Sequence, residues 1–277
     1  MEIIEIMKDG LMFPANNLKA LAIYIVITFV VGILCAGSLI SLIGIANSAV
    51  YGILAFILFI VAILVAIILS GYQIDIIKTG IDFEEEAPKI DWKADLIRGI
   101  KAVVVGIVYF IIPAIITLIV AFITNVPGNL TAAVQYINQA AATTNGTAVA
   151  GGSALQTVPQ NVMSGVVGSL SITLLIGFVL FLIFTFVQVM ANSRLANTDS
   201  LGEALNIPEA FKDIKRIGIG KVLATIILTV IIIAVISGIL SAVYQQIPQL
   251  SILNIIVTPY LMFFANRATG LLYSDIA

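Results

Sequence analysis

The chain has no histidine and a single cysteine, Cys35, in 277 residues. Without histidine it lacks the side chain most often used as a metal ligand and as a general base near neutral pH. One cysteine excludes an intramolecular disulfide. Cys35 lies in an apolar run, where a thiol facing lipid or a neighbouring helix is the plain reading. Charge is scarce too, at 10% of residues against about 25% in an ordinary soluble domain. It is also confined to four patches. Residues 20–74, 102–193 and 222–266 contain no Asp, Glu, Lys or Arg. A charge at the centre of a membrane helix costs roughly 2.5–3.5 kcal/mol on insertion scales, so spanning segments are cleared of charge. Apart from bases flanking the apolar runs there is no basic stripe, which argues against a nucleic-acid partner.

What fills the gaps is apolar. The chain is 61% hydrophobic, with a mean hydropathy of +1.16. An aqueous fold of this size would not hide that much apolar surface, and a polytopic membrane protein is the class that fits. The N-terminus does not read as a cleavable signal peptide. Glu2, Glu5 and Asp9 spoil the basic leader region. The apolar run after Lys19 also exceeds the usual ~7–15 residues.

The three uncharged stretches are 55, 92 and 45 residues long. Each holds two crossings of about 20 residues and a turn. The fold expected is therefore all-α: one integral membrane domain over residues 1–277 with six transmembrane helices. These fall near 20–43, 49–71, 102–124, 164–190, 222–243 and 249–265. Gly44, Asn47 and Ser48 mark the first turn. Gln245, Gln246, Pro248 and Gln249 mark the last. The sixth helix holds Asn254 and Pro259 near the lower length limit, so tilted, kinked and partly re-entrant forms all fit it. Long apolar runs without alternation exclude a barrel.

Lys and Arg set the orientation. The N-terminal segment, the 72–101 loop, the 191–221 loop and the C-terminus hold two, five, five and one of them, which is all thirteen. Six crossings put these four regions on one side, and the positive-inside rule places both termini in the cytoplasm of a cell-membrane protein.

Two charged loops look alike. Trp92-Lys93, Gly99-Ile100 and Val103 line up without gaps on Phe211-Lys212, Gly218-Ile219 and Val222. Ala265-Asn266-Arg267 echoes Ala191-Asn192-Ser193-Arg194, as if a third copy began. A hairpin-plus-loop unit used three times in parallel orientation accounts for this.

The run Asp9-Gly10-Leu11-Met12-Phe13-Pro14-Ala15-Asn16-Asn17 resembles the opening of domain-of-unknown-function family 4013, integral membrane proteins common in methanogenic archaea. Gly71-Tyr72, the Asp95-to-Gly99 stretch, Ile111-Ile112-Pro113-Ala114 and Arg267-Ala268-Thr269-Gly270-Leu271-Leu272-Tyr273 are similar to it too. More distantly, the chain resembles the membrane domain attached to some glycerophosphodiester phosphodiesterases. The resemblance implies an archaeal multi-pass protein and brings no activity or site with it. The chain lacks the histidine and acidic cluster that phosphodiesterase chemistry would need.

The loops offer interfacial features. Ile3, Ile4, Ile6, Met7 and Leu11 oppose Glu2, Glu5, Lys8 and Asp9 in a segment that Pro14 ends. Residues 1–19 therefore read as an amphipathic helix lying on the leaflet. Trp92, with Lys93, Arg98 and Lys101, forms an aromatic and basic anchor at the headgroups. Ile207, Phe211, Ile214 and Ile217 form a similar stripe beside Lys212, Lys215 and Arg216. Each is a simple anchor or a face for anionic lipid or a partner protein. Asp82-Phe83-Glu84-Glu85-Glu86 is a solvated acidic tip, because the ligand spacing of a calcium loop is absent. Ser200 to Glu203 fits a capping box. The 125–163 region is the one sizeable external loop. There Leu130, Val134, Ile137 and Ala141 suit a short interfacial helix, and Asn129 and Asn145 begin glycosylation sequons.

Small residues recur every four positions at Ala62/Ala66/Ser70, Gly165/Ser169/Thr173/Gly177 and Ala234/Gly238/Ala242, and are expected at helix–helix seams. For chemistry little remains. No metal-ligand cluster, cofactor motif or buried acid–base pair is expected. Lys78, Asp75 and Arg194 near helix ends read as snorkelling anchors, although they are able to meet at a headgroup. Transport usually places ionisable residues at mid-membrane or uses broken helices. Here only Pro113 and Pro259, with Thr117, Asn254 and Thr258, point that way. The leading expectation is a non-enzymatic membrane component that interacts with lipids or other membrane proteins. A facilitator for a neutral or lipidic solute is the alternative.

Overall fold

Backbone amides in hydrocarbon find no water, so the apolar runs must satisfy their own hydrogen bonds as helices. A computed structural model describes residues 1–46, 48–143 and 158–277, and no strand occurs among them. The helices are α1 (Ile3–Asn16), α2 (Leu18–Ile43), α3 (Ala49–Ile81), α4 (Trp92–Ile123), α5 (Val126–Thr143), α6 (Gln160–Thr198), α7 (Leu201–Ala204), α8 (Ile207–Ile217), α9 (Ile219–Gln246) and α10 (Asn254–Tyr273). Short 3-10 turns cover Gly44–Ala46 and Pro248–Leu253.

Six helical segments are long and apolar enough to cross a membrane: α2, α3, α4, α6, α9 and the stretch Pro248–Tyr273. Between 11% and 22% of each spanning window is buried inside the protein, so most of its apolar surface is left for lipid. Several helices outrun the uncharged sequence. With 33 residues, α3 is about 50 Å long, well beyond a ~30 Å hydrocarbon core. It carries Asp75 and Lys78 before ending at Ile81. Once a helix is nucleated in lipid, each further residue adds a hydrogen bond at little cost. Charge alone therefore does not stop it, and the spans end later than the apolar runs suggest. The final helix passes through Pro259 and beyond Arg267 to Tyr273.

The described residues form two compact units. The first joins Met1–Ile107 to Phe186–Ala277, and the second is Val108–Thr185.

In the first unit, α3 packs against α2 and α10. Its core holds Phe13, Leu21, Tyr24, Ile27, Leu69, Tyr72, Ile76 and Phe263. Tyr24, Tyr72 and Phe263 form a ring trio with centroids 5.4–6.0 Å apart. Such pairs contribute roughly 0.5–1.5 kcal/mol each beyond simple burial. Two glycine crossings let α3 approach its neighbours closely. A Cβ on Gly71 would lie 1.8 Å from the Asp95 carbonyl oxygen of α4, and one on Gly270 of α10 would lie 2.0 Å from that of Ile77. At the far end of the α2–α3 hairpin, Ser38 donates to the Ala55 carbonyl at 2.9 Å.

Helix α1 turns much of its apolar face onto protein. Its Ile6 is fully buried and Phe13 nearly so, and Gly10 rests on Phe264 of α10. Thr229 of α9 donates to the Met7 sulfur at 3.7 Å. The apolar face covers protein because α10 presents an apolar seat of its own, while Ile4 and Met12 stay exposed. Pro14 is tolerated in the last turn, and the helix runs on to Asn16.

The expected repeat differs in conformation at its aligned glycines. Gly99 lies inside the unbroken α4, at the crossing with α3. Gly218 has φ +106° and breaks the chain between α8 and α9. That left-handed value is one that glycine adopts without strain.

In the second unit, α5 occupies residues that sequence reading left mostly as loop. The Asn129 amide holds it in place by donating to the Gly165 carbonyl at 3.0 Å and to Ser169 Oγ at 3.1 Å. Thr124 and Thr173 hydrogen-bond at 2.9 Å, and Gly177 sits against Thr117. The row Gly165/Ser169/Thr173/Gly177 is thus a packing seam. The row around Gly238 is different, since a Cβ there meets nothing within 4 Å. Gly238 faces open space, which corrects the seam expected at that position.

Candidate functional site at the charged end

Each uncharged run is bracketed by charge. Lys19, Lys101 and Lys221 precede the three runs, and Asp75, Arg194 and Arg267 follow them. Five of these six side chains form ion pairs inside the protein, and those pairs tie the four charged patches together.

Asp75 accepts from Arg98 at 2.7 Å. Beside it lies the Asp95 carboxyl, itself fully buried and accepting the Asp91 backbone N–H at 2.9 Å. Asp91 accepts from the N–H groups of Lys93 and Ala94, both at 3.1 Å, and so starts α4.

Arg194 donates to Asp213 at 2.8 Å, to the Glu203 carbonyl at 3.0 Å and to the Glu203 carboxylate. Asp213 is 1% exposed. It also accepts from the Tyr273 hydroxyl at 3.1 Å and from Arg216 at 3.0 Å. Arg267, 2% exposed, donates to Asp9 at 2.8 Å and to the carbonyls of Thr79 and Glu84 at 2.7 and 2.6 Å. Its guanidinium stands 4.7 Å from the Phe13 ring centroid. A planar fork that bonds two carbonyls and a carboxylate while covering an aromatic face is work for arginine.

The entry lysines close the lacing. Lys101 bonds the Asp199 carboxylate at 2.7 Å. Lys221 bonds Asp275, which also takes the Met1 amino group at 3.2 Å. Partial burial pushes the Asp275 carboxyl up, and its hydrogen bonds from Lys221 and the chain's amino group outweigh that, holding it below the ordinary carboxylate range.

These buried ion pairs go beyond the snorkelling anchors expected of Asp75 and Arg194. Asp213 lies 19 residues from Arg194 and Asp9 lies 258 from Arg267, beyond any local motif. A usable signal existed nonetheless. The first charge after each uncharged run is the one that becomes an internal ion-pair centre.

The anchors read from sequence divide accordingly. Arg98 and Lys101 face protein carboxylates. Lys212 pairs with Glu209, and Arg216 with Asp213 and Glu209. Lys215 and Lys78 are exposed with no ion pair among the described residues, and Trp92 is 54% exposed. Among the described residues no cluster of acidic, cysteine or histidine side chains is arranged to hold a metal. The amide of Asn129 is used in packing, as described above. Asn145 lies outside the described residues.

Lys19 is the one entry lysine without an ion pair among the described residues. It lines a groove of about 600 Å³ together with Lys89. Leu18, Ala20, Ile23 and Ile90 supply apolar wall, and Tyr72 and Pro88 contribute as well. The Tyr72 hydroxyl donates to the Pro88 carbonyl at 3.0 Å, fixing the 86–90 strap against α3. Asn17 fixes it against α2, accepting from the Ala87 N–H at 2.7 Å and donating to the Glu85 carbonyl at 3.0 Å.

An all-helical chain with six lipid-compatible spans and one laced polar end is a multi-pass membrane protein. Residues 54–244 match the family described as Protein of unknown function (DUF4013), and the chain belongs to that family. No curated protein matches the chain, and no solved structure does.

Proposed function

We propose that this chain is a non-enzymatic component of the cell membrane that binds anionic lipid at its charged end, with that end and both termini cytoplasmic. The observation that supports it most is the asymmetry among the entry lysines. Lys101 and Lys221 are neutralised by Asp199 and Asp275. Lys19 has no such partner among the described residues and shares its groove with Lys89 at the start of an apolar helix; Glu86 lines the groove too, so the two lysines leave it one net positive charge. A phosphate in this groove would leave its lipid's hydrocarbon chains along Leu18 and Ile23, both exposed. Each basic group near an anionic surface contributes about 1 kcal/mol. The setting this reading assumes is an archaeal membrane, as the resemblance in the sequence implies.

The test is native mass spectrometry of the protein purified in mild detergent. Retained anionic phospholipid is expected, and Lys19→Glu with Lys89→Glu should strip most of it. Retention that ignores the double reversal would sink the proposal. A facilitator for a neutral solute is the second reading, favoured by a separate polar cavity.

A further inference from the structure

Each uncharged run carries a carboxamide in its last two residues. Gln73 is the second-last residue of 20–74, Asn192 the second-last of 102–193 and Asn266 the last of 222–266. The fold brings the three together. They line one cavity of about 180 Å³ in the first unit, with Ser70 and apolar wall from α3 and α4. So α3, α6 and α10 each contribute a carboxamide from one corresponding place.

The walls carry no charge. A charged occupant would find no counter-charge on these walls, which favours a neutral one. Each carboxamide presents an N–H donor and a carbonyl acceptor. Two of the polar groups are already oriented. Gln73 Nε2 donates to the Tyr24 hydroxyl oxygen at 2.9 Å, and Ser70 donates to the Ala66 carbonyl at 3.0 Å, which leaves its oxygen free to accept. Asn192 Oδ1 is different: it is buried and no donor among the described residues reaches it. A buried acceptor without a donor is left uncompensated, so an occupant that donates a hydrogen bond is favoured there. At roughly 30 Å³ per water, the volume matches about six waters or a solute of about six heavy atoms.

We propose that this cavity binds a small neutral solute that both donates and accepts hydrogen bonds, a simple amide or short polyol, held by Gln73, Asn192 and Asn266. The inference stands apart from the lipid groove and its lysines.

Iodoacetamide is itself a small neutral amide, so a cysteine in the cavity wall reports on occupancy. Ala102 and Val103 line the cavity, and Cys35→Ser removes the native thiol. In that background, alkylation of Ala102→Cys by iodoacetamide should saturate in the millimolar range, as suits so small a ligand. Acetamide or glycerol should slow it several-fold, and acetate should not. Adding Asn192→Leu should abolish both saturation and protection. Val103→Cys and Asn266→Leu serve as the second pair, each checked for a monodisperse profile in detergent. A rate linear in reagent and indifferent to both neutral competitors would overturn the proposal and mark the cavity as holding water only. Protection that survives the loss of both asparagines would overturn it equally.

Discussion

Arg194 and Asp213 meet at 2.8 Å across 19 residues of chain, with the carboxylate almost wholly enclosed. Tyr273 and Arg216 donate to the same carboxylate. Three segments of the charged end thus converge on a single side chain.

We predict that Asp213→Ala destabilises the protein by about 1–3 kcal/mol, because it leaves the buried Arg194 guanidinium with Glu203 alone and the Tyr273 hydroxyl without its acceptor. Thermal unfolding in detergent measures this. The exposed pair Lys212–Glu209 provides the contrast, since Lys212→Ala should change stability by no more than about 1 kcal/mol. Equal effects would mean that Asp213 is not the hub described.

Glycines that look alike in sequence should behave differently. Gly71→Ala drives a methyl group into the Asp95 backbone, where the space is 1.8 Å, so a large loss of stability is expected. Gly238→Ala meets nothing within 4 Å and should be neutral, or stabilising by up to about 1 kcal/mol through helix propensity. Melting temperatures of the two variants, compared side by side, decide the matter.

Acid should loosen the junction of the two chain ends. Asp275 titrates below its ordinary value of 3.8 in the folded protein. Its contribution is therefore present above that ordinary value and is lost as pH falls through the lower folded one. Unfolding followed from pH 5 downward should show a loss below the ordinary carboxylate range that Asp275→Asn lacks. A variant whose acid profile superimposes on the parent would remove Asp275 from the account.

Topology is testable with single cysteines in a Cys35→Ser background. An impermeant thiol reagent applied to intact cells should label Gln246→Cys and leave Glu85→Cys untouched. Both native side chains are exposed. The reverse pattern would invert the orientation.

The spans were legible because lipid permits few alternatives. Twenty apolar residues without a charge must be helical and must face hydrocarbon. The lacing of the charged end was not legible in the same way. Nothing near Asp9 announces Arg267, since their pairing depends on where α1 and α10 come to rest. Small-residue spacing proved ambiguous for a similar reason. Gly177 and Gly238 share the pattern, yet only Gly177 has a neighbour, Thr117. Periodicity marks a face and leaves unsaid whether protein or lipid covers it. The carboxamides at the run ends were visible as single residues, and only the fold shows that they share a cavity.

The packing of α1 on α10 also has a bearing on time. Translation makes α1 well before α10. Gly10 rests on Phe264 and Phe13 shares a core cluster with Phe263, so this seat does not exist until α10 has been made. Helix α1 is thus synthesised long before the surface that covers it, and its apolar face needs other cover until then.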